Sequence, residues 1–66
     1  MKTYWEVTCR FYEDGKITTE INTIQAEEMP PCSQEDKGDF DEYKDYFLSE
    51  GGARSFARVT RKEGTK

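Results

Sequence analysis

The residues of this chain that could do chemistry are few. They are two thiols, Cys9 and Cys32, and a run of carboxylates, Glu35, Asp36, Asp39, Asp41, Glu42 and Asp45. There is no histidine among the 66 residues. That removes the commonest general base, the usual metal ligand and the Ser-His and Cys-His nucleophile pairs. The cysteines do not form a Cys-x-x-Cys, so a zinc site or a thioredoxin-type redox pair is disfavoured. Calcium takes oxygen ligands from acidic loops, but Asp36, Gly38 and Asp39 do not follow the order of an EF-hand, which needs alternate ligands, a central Gly and a closing Glu. Paired carboxylates serve glycoside hydrolysis, yet a chain this short has little room for a substrate cleft. No glycine pattern matches a P-loop or a dinucleotide fingerprint. Gly51-Gly52 could expose amides to an anion, though a loose helix start is the better explanation of the pair. The expectation is therefore a protein with no catalytic set, no cofactor and no metal.

The elements that would position any site begin with a hairpin. Trp5, Val7, Cys9 and Phe11 alternate with Tyr4, Glu6, Thr8, Arg10 and Tyr12, and a second alternation starts with Ile17, Thr19 and Ile21. A two-residue Asp-Gly loop would pair Tyr12 with Ile17 and put apolar residues on both faces of the sheet. A three-residue loop, Glu13-Asp14-Gly15, pairs Phe11 with Ile17, Cys9 with Thr19, Val7 with Ile21 and Trp5 with Thr23. All the large apolar residues then share one face, and Gly15 takes the positive φ of a G1 bulge. We expect the second register, with strands over residues 3–12 and 16–24.

Residues 25–39, with Pro30-Pro31, Gly38 and almost no apolar side chain beyond Met29, read as a long loop. Residues 40–48 read as a third strand, with Tyr43 and Phe47 on one face and Glu42, Lys44, Tyr46 and Leu48 on the other. The spacing of Phe40, Tyr43 and Phe47 would also suit a helix. Ser49 is a good N-cap, followed by Glu50 in a first turn. Ala53, Phe56, Ala57 and Thr60 then form an apolar stripe, giving a helix over 50–62. The fold class is α+β: a β-β-β-α meander, a three-stranded antiparallel sheet with one C-terminal helix on one face. The alternative order puts strand three beside strand one, running parallel to it. The helix would add Phe56, Ala53 and Ala57 to a core of Trp5, Val7, Phe11, Ile17, Ile21 and Phe47.

Composition sets the outer bounds. Sixty-six residues suit one small domain, 33% of them are hydrophobic, and nine aromatic residues partly compensate. Chains this short are marginal alone, so a homodimer is one way to gain burial. The apolar runs are too short for a membrane span or a secretory signal, which makes the cytosol the expected location. A Cys9–Cys32 bridge would be unusual there. Cys9 reads as a small buried residue and Cys32 as an exposed thiol. Charge is segregated: residues 25–48 carry two basic and eight acidic side chains, residues 49–66 five basic and two acidic, within a net of −4. A net negative chain is disfavoured as a general nucleic-acid binder.

One candidate surface remains. Facing away from the core, Tyr4, Arg10 and Tyr12, joined by Tyr46, supply residue types that carry binding energy at protein interfaces. The leading expectation is a non-catalytic module that binds a protein partner of unknown identity. Two other readings stand beside it: a nucleic-acid-associated accessory using Arg54, Arg58, Arg61 and Lys62, and an acidic mimic using Glu27, Glu28, Glu35, Asp36, Asp39 and Asp41. The run from Tyr4 to Tyr12, the Asp14-Gly15-Lys16 turn and Tyr46-Phe47-Leu48-Ser49-Glu50 leading into Ala53 and Phe56 together resemble a class of small uncharacterised bacterial or mobile-element proteins. The resemblance implies a β-β-β-α domain and transfers no site residues.

Overall fold

The computed structural model describes the backbone of residues 1–64 and the side chains of residues 1–60. Four strands and a helix follow in the order β1 (Lys2–Tyr12), β2 (Ile17–Ala26), β3 (Ser33–Asp36), β4 (Phe40–Phe47) and α1 (Glu50–Gly64). The strands form one sheet in the order β2-β1-β4-β3, antiparallel throughout.

The first hairpin takes the odd loop. Phe11 faces Ile17, Cys9 faces Thr19, Val7 faces Ile21 and Trp5 faces Thr23. The Gly15 amide donates to the Tyr12 carbonyl at 3.0 Å, and the Tyr12 amide to the Lys16 carbonyl at 2.9 Å. Gly15 has φ +91°, the conformation that resists any side chain. Asp14 Oδ1 accepts from the Lys16 amide at 2.9 Å and stiffens the turn, as short Asx side chains do.

The meander expected for residues 40–48 is not what forms. That strand pairs with β1 rather than β2, and it runs antiparallel to β1, not parallel as the alternative order would have it. The reason lies in the stretch expected to be loop. After β2, residues 27–32 cross to the far edge of the sheet, where Ser33–Asp36 forms a fourth strand. A turn then reverses the chain: Gly38 sits at φ +94°, its amide donating to Asp36 Oδ1 at 2.8 Å, and the Lys37 amide donates to the Phe40 carbonyl at 2.9 Å. β3 thus takes the leg that would have been parallel to β1, and β4 returns antiparallel.

α1 starts where its cap residue predicts. Ser49 Oγ accepts from the Gly52 amide at 3.2 Å, and the Ser49 carbonyl accepts from the Ala53 amide at 3.2 Å. Each satisfies a backbone group that a helix end leaves open. The helix buries Ala53 and Ala57 against Val7 and Cys9, and Trp5, Phe11, Ile21, Tyr43, Phe47 and Phe56 pack around them. The centre is made of small side chains, so α1 lies close to the sheet, and rings such as Phe47 and Phe56, 5.1 Å apart, fill the flanks. Both cysteines are free thiols. Among the described residues no helix is long and apolar enough to cross a membrane.

Candidate protein-binding face

The face of the sheet opposite α1 is built by one register. Pairing of β1 with β4 sets Tyr12 opposite Phe40, Arg10 opposite Glu42, Thr8 opposite Lys44 and Glu6 opposite Tyr46. Residues directly opposite each other have side chains about 4.5–5.5 Å apart at Cβ and interact as pairs. Three of these four positions do so by specific contacts.

Arg10 Nε donates to Glu42 Oε2 at 3.0 Å, with the side chains 30% and 11% exposed. The Arg10 guanidinium carbon also lies 5.9 Å from the centre of the Phe40 ring. Phe40 packs on Tyr12 at 5.0 Å between ring centres, tilted by 40°, and the Lys16 ammonium sits 6.0 Å from the Tyr12 ring. Tyr46 Oη donates to Glu6 Oε2 at 2.9 Å. Burial, the Glu6 hydrogen bond and the Glu6 charge push the Tyr46 phenol up to about 12. Such contacts hold long side chains in fixed rotamers, and so lower the entropy lost when a partner docks.

The expected surface residues divide. Arg10, Tyr12 and Tyr46 lie together on this face and are partly exposed. Tyr4 points to the same face by register but is 4% exposed, an interior residue. Phe40, Glu42 and Glu6 belong to the constellation and were missed. Phe40 was legible: it stands at the alternate spacing of Glu42, Lys44 and Tyr46. The side chains of Arg61 and Lys62 lie outside the described residues.

At the edge of this face the register creates a conflict, because Glu35 of β3 stands opposite Glu42. Like charges directly opposite are destabilising. Each has its own cation: Glu42 holds Arg10, and Glu35 holds Lys37 at 2.8 Å. The Lys37 hydrogen bond and charge lower the Glu35 carboxyl and, reciprocally, raise the Lys37 ammonium. Among the described residues, no three thiols or carboxylates converge as a metal site would need. Compared with known proteins, the chain matches no family model, no curated protein and no solved structure.

Proposed function

We propose that the protein is a non-catalytic protein-binding module, and that Arg10, Tyr12, Phe40 and Tyr46 form its contact surface. The observation that carries this reading is the cross-strand lattice in which Glu42 and Phe40 hold Arg10 while Phe40 holds Tyr12. Arginine and tyrosine dominate the energetics of protein interfaces when neighbours hold them in place. The partner surface would offer a carboxylate or a backbone carbonyl to Arg10 and an apolar ledge to the two rings. Affinity capture from a lysate of the source cell, with wild type beside an Arg10→Ala/Tyr12→Ala variant, tests the proposal. The same partner should be lost from the variant while its melting curve stays cooperative. Identical capture by a folded variant would remove this face from consideration.

The acidic-mimic reading keeps some support, because Glu27, Glu28, Glu35, Asp36, Asp39 and Asp41 are all exposed. Replacing those six with their amides separates the two readings. A mimic would release its basic partner, whereas the module described above would retain its own.

A further inference from the structure

The helix does not roof the whole sheet. Among the described residues, α1 packs mainly on β1 and β2, less on β4, and does not reach β3. Where the roof stops, a cavity of about 280 Å³ opens between α1 and the sheet, lined by Cys9, Phe11, Tyr43, Asp45, Phe56 and Thr60. Phe11 and Tyr43 meet edge to face, 5.3 Å between centres and 86° between planes, which makes two walls of a corner. Phe56, from α1, supplies a third ring. The register places Asp45 two residues along β4 from Tyr43 on the same face, and Asp45 is part of the cavity lining.

Among the described residues the charge at this site is one-signed: none of the lining residues is a lysine or arginine, and Asp45 has no ion-pair partner. Its negative charge reaches both thiols: Cys9 is raised first by burial and then by Asp45, and Cys32 is raised chiefly by its hydrogen bond to Asp45 and by that charge. Three aromatic side chains and one acidic residue around a small open cavity are a recognisable combination. The rings present negative faces to a cation, the carboxylate supplies the counter-charge, and the apolar lining takes alkyl substituents.

We propose that this open cavity binds an alkylated ammonium group, with Phe11, Tyr43 and Phe56 contacting the alkyl substituents and Asp45 supplying the counter-charge. The site lies on the opposite side of the sheet from Arg10 and Tyr12, so it stands or falls independently of the surface described above. The ammonium could belong to a small free amine or to a methylated lysine side chain of a protein.

The test is a titration of the whole chain, followed by the aromatic NMR resonances of Phe11, Tyr43 and Phe56. The probes are choline, its neutral isostere 3,3-dimethylbutan-1-ol, and a short peptide carrying trimethyllysine. Choline and the peptide should shift the three rings saturably, and the alcohol should bind at least about fivefold more weakly. Tighter binding of the peptide than of choline would assign the site to a lysine side chain; equal binding would assign it to the free amine. Asp45→Asn should weaken choline and leave the alcohol unchanged. The choline-to-alcohol comparison is made on the wild-type chain, so it does not depend on that variant folding. Equal binding of choline and alcohol, or no saturable movement of the rings, would overturn the proposal. Arg10→Ala/Tyr12→Ala should leave the titration unaltered.

Discussion

The two halves of the sheet are held together by different forces. β1 and β2 pair over ten positions, and α1 covers their apolar face, with Val7, Cys9, Ala53 and Ala57 buried and Ile21 packed beside them. β3 pairs with β4 over four positions, every residue of β3 is exposed, and two acidic pairs, Glu35 with Glu42 and Asp36 with Asp41, stand opposite each other. The first half gains from removing carbon from water. The second relies on backbone hydrogen bonds, one tight turn and ion pairs that water screens. Burial scales with area, whereas exposed ion pairs are worth about 0–1 kcal/mol each. The β1–β2 half should therefore set global stability, and β3 should open first. Both surfaces proposed to bind something include β4, the strand where the well-buried half gives way to the exposed one.

The largest expected effect tests the buried half directly. Val7→Ala removes two methyl groups from a side chain with no solvent exposure. About 0.8 kcal/mol per methyl plus a cavity term puts the cost at about 2–3 kcal/mol in chemical denaturation. Domains of this size have only about 3–10 kcal/mol in total, so the loss should be unmistakable. The matching truncation on the other side, Gln34→Ala in β3, should stay within about 0.5 kcal/mol. Equal losses would mean the halves are not different in kind.

The two turns give a sharper comparison, because Gly15 and Gly38 have nearly the same conformation, φ +91° and +94°. Neither has a heavy atom within 4 Å of where a Cβ would sit. Valine at either site meets only the backbone penalty of a left-handed residue, about 1–2 kcal/mol. At Gly15 the full penalty should appear as lost global stability, because that turn holds the register of the main hairpin. At Gly38 the chain can escape by releasing β3, so the measured loss is capped by the free energy of that local opening. Hydrogen exchange should then show β3 amides unprotected in Gly38→Val while β1 and β2 remain protected. Equal losses, with β3 still protected, would show that the sheet unfolds as one unit.

The same contrast explains what could be read in the sequence. The main hairpin is legible because its apolar alternation allows only one loop length that gathers Trp5, Val7, Phe11, Ile17 and Ile21 on one face. The helix is legible because Ser49 caps a stripe of Ala53, Phe56 and Ala57. β3 is not legible: Ser33-Gln34-Glu35-Asp36 has no apolar residue to alternate, so its strand character comes only from pairing with β4. With β3 hidden, the sequence offers β4 only a parallel place beside β1, so the antiparallel β1–β4 pairing that forms is not legible and a meander is the simpler expectation. The binding face was partly legible for a related reason. Alternation assigns a side chain to a face, and so places Arg10, Tyr12 and Tyr46 correctly, but it does not report what covers that side chain. Tyr4 and Thr8 share the face and are 4% and 3% exposed.

The smallest expected effect concerns the seam between the halves, where Tyr46 of β4 donates to Glu6 of β1. Its phenol is pushed up to about 12 from an ordinary value of 10.0, first by burial and then by Glu6. The native state therefore keeps this proton over a pH range in which the unfolded chain gives it up. The resulting stabilisation is fully present below the unfolded value near 10.0 and is lost as pH rises through about 12. A phenolate absorbance titration of wild type minus Tyr46→Phe isolates this one group and should show a midpoint near 12. In a Glu6→Gln background the midpoint should fall, because the charge is gone, yet stay above the ordinary value, because burial remains. A wild-type midpoint near the ordinary value would mean that Tyr46 is neither shielded from water nor paired with Glu6 in solution. The two halves would then be joined on this face by Arg10–Glu42 and the Tyr12–Phe40 ring pair without the Tyr46–Glu6 hydrogen bond.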